Sequence, residues 1–212
     1  MKEQEHYVIT ISRQLGSGGA YLGRKLATEF GISYADRSIL ERAAESLQVR
    51  AEDLEARDES APSFLEMLLE PFALAVPEVR STPVLEIPSY ATLRAAESNV
   101  IREIAARQSA VIVGRAGFHL LDQHPRHLSV FVHASPEFRV RQVEEYYGVS
   151  RERASSVIQD SDRTRARCLL DLTGRQWTDA LQYDVSLCTS TLGLMLAGRI
   201  LCETVRTRFR PG

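Results

Sequence analysis

Lysine is almost missing from this sequence: of 26 basic residues, Lys2 and Lys25 are lysines and the rest are arginines. Cation chemistry here is therefore arginine chemistry, planar and forked rather than point-like. Cysteine is scarce as well. Cys168, Cys188 and Cys202 are odd in number and show no C-x-x-C spacing, which argues against a disulfide framework and a structural zinc site. They read as reduced core thiols. No stretch approaches the roughly 18 apolar residues of a membrane span. The nearest candidate, "LGLMLAGRILCETV", is broken by Arg199 and Glu203 and has the periodicity of a helix packed on a core. The N-terminal "MKEQEHYV" lacks the apolar segment of a signal peptide, so the expected location is cytoplasmic, without a membrane partner. A net charge of −2 offers no global attraction for nucleic acid. Any anion site must be local. Trp177 and the five histidines show no metal-ligand or triad spacing and are assigned to core or surface.

At 212 residues the chain suits one domain with insertions, and its 44% hydrophobic content supports a sizeable core. "YVITIS" is a short β-rich run, followed by a glycine loop and a helical pattern from about Gly18 to Phe30 that stops at Gly31. "ISYAD" is a second strand candidate, with Asp36 placed to cap the helix beginning near "RSILERAAESL". Residues 41–70 are acidic and helical in pattern, and prolines at 71, 77, 83 and 88 mark the stretch that follows as part of an insertion, about 41–95. A helix over 91–108 leads into "AVIVGR", a β-branched run suited to a strand buried on both faces. "HLSVFVHA" is a similar strand and "YDVSLCTS" a weaker one, with helices at 136–147, about 150–170 and 191–208. Strands alternating with helices predict a parallel sheet in three layers, with ligands at the strand C-terminal ends.

The opening stretch "TISRQLGSGGAYLGRKLA" has the form of a phosphate-binding loop, but it departs from G-x-x-x-x-G-K-[ST]. With Gly18 as the second glycine, Arg13 stands at the first, Gly19 at the lysine and Ala20 at the hydroxyl position. Lys25 lies about two turns into the helix, roughly 9 to 10 Å from its start, too far to substitute. Backbone N–H groups beside a helix N-terminus can still hold phosphate, and Arg13 can supply a charge-assisted hydrogen bond. The alternatives are a glycine turn that only lets strand and helix pack closely, and a dinucleotide loop. The dinucleotide spacing fails, because counting from Gly16 and Gly18 the third glycine position is Tyr21.

Taken together and in order, "ITISRQLGSGGAYLGRKLA", "YADRSIL", "VIVGRAG", "DRTRAR" and "YDVSLCTS" resemble the cytidylate kinase-like family, a divergent branch of the P-loop nucleoside monophosphate kinases. The resemblance covers nearly the whole chain. It implies a single kinase-like domain, residues 1–212, with a three-layer α/β fold. A helical acceptor-binding insertion and an arginine-rich lid, about residues 139–175, would complete it. In that family the loop commonly reads S-R-Q-x-G-S-G-G, so the missing lysine belongs to the branch. Ala20 stands where many relatives carry arginine. Ala116 replaces the aspartate that follows "GR" in true cytidylate kinases, so CMP specificity does not simply carry over.

The implied activity is transfer of the ATP γ-phosphoryl group, with Mg²⁺, to a small acceptor, most simply a nucleoside monophosphate such as CMP. A catalytically weak nucleotide-sensing module and a kinase for another small metabolite are the alternatives. The resemblance assigns Gly16, Ser17, Gly18, Gly19 and Arg139 to the nucleotide. Arg13, Arg165 and Arg167 are assigned to catalysis, the last two through the D-x-x-R-x-R pattern that starts at Asp162. Asp36, Arg42 and Arg115 fall on the acceptor side, with Asp36 equally suited to a plain helix cap. Ser17 and Asp162 are the candidate magnesium ligands. Arg139 and Arg141, in "SPEFRVRQ", could instead belong to a solvated helix face.

Overall fold

Five short strands owe their positions to apolar runs that place side chains alternately on two faces. The computed structural model describes residues 6–49 and 89–210. Its strands are β1 (Val8–Arg13), β2 (Ser33–Ala35), β3 (Ala110–Val113), β4 (His127–His133) and β5 (Val185–Cys188). All pairings are parallel, in the order β2-β3-β1-β4-β5. β1 is central, with Val8 opposite both Ala110 and His127.

The alternation along β1 and β3 sorts the helices into two layers. Val8, Ala110 and Ile112 face α2 (Arg37–Ser46) and α3 (Tyr90–Arg107), burying Ile39, Leu40, Leu93 and Ile101. Ile9, Ile11, Val111 and Val113 face the opposite way, toward α1 (Gly19–Phe30) and α7 (Thr189–Arg208), with Leu22, Leu26, Ala197 and Leu201. Each fully buried aliphatic side chain stabilises such an arrangement by about 1.5–3 kcal/mol. The chain thus builds the expected three layers. The short α4 (Gly117–Leu120) follows β3.

After β4 the chain forms a helical hairpin. α5 (Pro136–Tyr147) starts at Ser135, whose hydroxyl accepts from Phe138 N, and stops at Gly148. α6 (Arg151–Thr173) is one unbroken helix, longer than the 150–170 predicted. Val140 and Val143 pack on Ala154 and Ile158 to join the two.

Three local expectations are corrected. Asp36 occupies the N-cap position of α2, but its side chain accepts no helix N–H; Arg13 and Tyr34 engage it instead. Of the cysteines, Cys202 is buried, whereas Cys168 and Cys188 are partly exposed. α7 begins two residues earlier than the 191 predicted, and it is kinked after its first turn at Gly193, where φ is 71° and ψ 154°. Residues 50–88, most of the predicted insertion, lie outside the described residues. Among the described residues no helix is long and apolar enough to cross a membrane.

Candidate active site

The glycine loop lies between β1 and α1. Gly16 and Gly18 adopt φ of 78° and 83°, where a Cβ is strained. Space forbids one as well: a Cβ on Gly16 would come within 2.6 Å of Arg139 O, and one on Gly18 would strike the Leu194 side chain. The Gly193 kink thus sets Leu194 against the loop. Ser17 is fully buried, its hydroxyl 2.7 Å from Gln14 O and 3.0 Å from Val132 O. Thr189, also fully buried, donates to Ser17 O at 2.8 Å, and Gln14 Oε1 accepts from Ala134 N at 3.2 Å. Four elements therefore hold the loop: β1, β4, α5 and the start of α7.

Arg13 links the glycine loop to the ends of β2 and β3. Its Cβ packs on Gly19, its guanidinium lies against Gly114, and Nη2 sits 3.4 Å from Asp36 Oδ1. The other Asp36 oxygen accepts from the Tyr34 hydroxyl at 3.1 Å. Burial first, and the Asp36 charge second, push the Tyr34 phenol well above its ordinary pKa, so it remains a donor. Lys25 is remote from this arrangement, its stem packed where α7 passes at Gly198.

Arg13, Arg115 and Arg165 converge on one pocket at the C-terminal ends of β1 and β3. Among the described residues, Ser12, Gly114, Ala116, Leu169 and Trp177 complete its lining, and none of these is a carboxylate. Carboxylates stand behind the arginines instead: Asp36 beside Arg13, and Glu97 of α3 beside Arg115. Arg115 and Ala116 both have positive φ, 53° and 52°, directly after Gly114 at 80°. Non-glycine residues are uncommon there. Arg165 donates to Ser161 one turn back on α6. Trp177, Phe131, Phe118 and Tyr183 form an aromatic wall with Ala116 and Leu169. The Tyr183 hydroxyl donates to Trp177 O at 2.8 Å, and burial pushes its pKa up to about 12. A second, open cavity of about 400 Å³ shares Trp177 and adds Gln14, Asp162 and Arg163.

The remaining predicted residues scatter. Arg139 is buried, with Nη1 2.7 Å from Asp162 Oδ2 and 3.4 Å from Leu15 O. Arg42 pairs with Glu103 across α2 and α3 at 3.0 Å, away from the pocket. Arg167 is exposed, two positions past Arg165 and so on another face of α6. Arg141 is exposed too. Of the two nominated magnesium ligands, Ser17 directs its hydroxyl at the carbonyls of Gln14 in the loop and Val132 in β4, and Asp162 pairs with Arg139 through Oδ2. Among the described residues no group of three or more His, Cys, Asp and Glu side chains is arranged to hold a metal ion.

Sequence reasoning overlooked Glu97 and the wall formed by Trp177. Glu97 lies in "RAAESNVIREIAAR", where charges recur all round the helix and nothing marks one as buried. Trp177 follows Gly174 in a loop whose path no local pattern predicts.

Comparison with known proteins identifies the family and the fold. A family model described as the cytidylate kinase-like family matches residues 8–191. No curated protein matches the sequence. An uncharacterized protein from Eubacterium ventriosum superposes with a TM-score of 0.70 at 19% identity, covering 95% of this chain and 99% of that one. A shikimate kinase from Bacteroides thetaiotaomicron gives 0.51 at 14% identity, covering 95% and 96%. At such identities the likeness is one of fold, a P-loop kinase-type parallel sheet flanked by helices. With 184 of 212 residues inside the match, the chain belongs to the cytidylate kinase-like family.

Proposed function

We propose that the protein transfers the ATP γ-phosphoryl group to a small acceptor bearing an anionic group, most simply a nucleoside monophosphate such as CMP. The observation that carries this reading is the convergence of Arg13, Arg115 and Arg165 on one pocket at the C-terminal ends of β1 and β3, beside the glycine loop. Phosphoryl transfer demands positioning and fixed positive charge more than covalent chemistry. Guanidinium forks supply both. The N–H groups around Gly16, Ser17, Gly18 and Gly19 cradle the triphosphate at the start of α1. Arg13, lying between that loop and Asp36, replaces the missing lysine from the acceptor side. Arg115 binds the acceptor's anion, and Arg165 reaches the transferring group from α6.

We read several roles differently from the family resemblance. Arg139 shapes the loop through Leu15 O and its contact with Gly16, an indirect contribution to nucleotide binding. Arg42 acts at the α2–α3 joint and Arg167 at the surface. In this reading Ser17 anchors the loop through Gln14 O and Val132 O. The magnesium would arrive on the triphosphate, as is common for this ion.

A second reading, a nucleotide sensor with weak turnover, is favoured by one observation: the chain's described lysine, Lys25, packs on α7 rather than on the loop. A third, a kinase for a different metabolite, is favoured by Ala116, which gives the pocket an apolar wall. An ATP-turnover screen against nucleoside monophosphates and other small acceptors separates the three. Acceptor-dependent ADP release with CMP supports the first reading and with another acceptor the third. ATP binding without transfer to any acceptor supports the sensor.

A further inference from the structure

Each trans peptide of the glycine loop carries a carbonyl and an N–H that point in opposite directions. A loop that turns N–H groups toward an anion therefore turns the matching carbonyls the other way, where each needs a donor of its own. The Ser17–Gly18 peptide shows both halves. Nothing among the described residues accepts from the Gly18 N–H. The Ser17 carbonyl accepts at 2.8 Å from the hydroxyl of Thr189, 172 positions away in sequence. Thr189 is the first residue of α7 and is fully buried. Its hydroxyl has one proton to donate, and the alternative acceptor, His133 O, is farther at 3.2 Å. Beyond the kink at Gly193, Leu194 lies against Gly18 itself. In an unbroken helix positions 189 and 194 would face about 140° apart. The kink brings both onto adjacent residues of the loop. Between them, Ser190 Oγ accepts from Ser135 N at 3.0 Å and ties the same turn to the start of α5.

We propose that Thr189 and Leu194 are positioning residues for the nucleotide: the hydroxyl holds the Ser17 carbonyl and the leucine backs Gly18, so that the Gly18 N–H stays directed at the triphosphate. This rests on reading the loop as the triphosphate site. Because the peptide is planar, fixing its carbonyl end fixes the direction of its N–H end. The start of α7 thus acts on the ligand through the loop, without touching it.

ATP with Mg²⁺ is titrated calorimetrically into the full chain and into Thr189→Val, Thr189→Ser, Leu194→Ala and Thr204→Val. Thr189→Val keeps the volume but leaves the Ser17 carbonyl without its donor, and should raise Kd about tenfold, the order of one lost hydrogen bond. Thr189→Ser retains the hydroxyl and should stay close to wild type. Leu194→Ala should raise Kd severalfold. Thr204→Val is the control: its hydroxyl donates to Ile200 O at 2.8 Å on the same helix, and its removal should leave Kd unchanged. A residue that only stabilised the fold would lower Tm, or the fraction of chains able to bind, with Kd intact. Unchanged Kd in Thr189→Val therefore overturns the proposal, as does an equal rise in Thr189→Ser or in Thr204→Val. Should Thr189→Val fail to fold, Leu194→Ala decides, since wild-type affinity in that variant overturns positioning by α7. Wild type that binds no ATP at millimolar concentration overturns the reading of the loop itself. That result is distinct from ATP binding that is equal in wild type and variants, which overturns the positioning alone.

Discussion

Arg139 and Asp162 meet at 2.7 Å across the hairpin of α5 and α6, directly beneath the glycine loop. The same guanidinium reaches Leu15 O at 3.4 Å, and the backbone of Arg139 leaves no room for a side chain at Gly16. One residue therefore links the hairpin to the loop. Asp162→Ala leaves Arg139 buried without its carboxylate, and the expected loss of stability is roughly 1.5–3 kcal/mol, the range for a hydrogen bond to a charged group. Urea denaturation measures it. A loss within a few tenths of a kcal/mol would mean the pair is as weak as an exposed one.

Occupancy of the loop should stabilise the fold. A ligand bound solely by the native state adds about 2.7 kcal/mol at a hundredfold excess over its Kd. ATP with Mg²⁺ should raise Tm in a concentration-dependent way. A flat melting temperature at millimolar ATP contradicts the loop assignment, and a rise with NAD in its place would favour a dinucleotide site.

Arg13 and Lys25 now stand in different places: Arg13 bridges the loop, Gly114 and Asp36, whereas Lys25 packs on α7. Arg13→Ala should weaken ATP binding more than Lys25→Ala, by about one charge-assisted hydrogen bond, 1.5–3 kcal/mol. Calorimetric titration of both variants ranks them. A larger effect from Lys25→Ala would return the lysine to the site.

Arg165 and Arg167 separate cleanly in exposure, 8% for the first, while the second faces solvent. Arg165→Ala should lower kcat by about two orders of magnitude with little change in ATP affinity, as for a group acting mainly in the transition state. Arg165→Lys should recover part of the loss, because an ammonium lacks the fork. Arg167→Ala and the surface control Arg206→Ala, which removes a pair with Glu29, should each fall within a factor of three of wild type. Steady-state kinetics with the best acceptor provide the comparison, and equal losses at 165 and 167 would contradict the division.

Burial holds the His127 imidazole below its ordinary pKa, with Nε2 2.7 Å from Thr10 Oγ1. His133, on the same strand, is shifted in the same direction. A histidine whose folded pKa is depressed binds fewer protons in the folded state. Its contribution is complete above the unfolded value, about 6.5, and is lost as pH falls below it. Tm should therefore drop between about pH 7.5 and pH 5.5, and drop less in His127→Gln. An identical pH dependence in that variant would place the titration elsewhere.

Local chemistry was enough for most of the architecture. Val8, Ile9 and Ile11, and Ala110 to Val113, announce strands because β-branched runs bounded by loops have few other solutions, and Gly31, Gly148 and Gly174 end helices where only a left-handed residue fits easily. The loop between β1 and α1 is legible for the same reason. Side-chain partnership is different, since it depends on which elements the sheet order brings together. Asp36 has the sequence position of a cap, yet it serves Arg13 because β1, β3 and β2 end side by side. Arg165 and Arg167 look equivalent in "DRTRAR", yet a helix turns them to different faces. Glu97 resembles any surface glutamate until α3 packs on β3 and encloses it with Arg115. Periodicity records how one segment meets the core. The burial and pairing of a charge are settled by segments far away in sequence, and only the folded arrangement of those segments decided which arginines share the pocket.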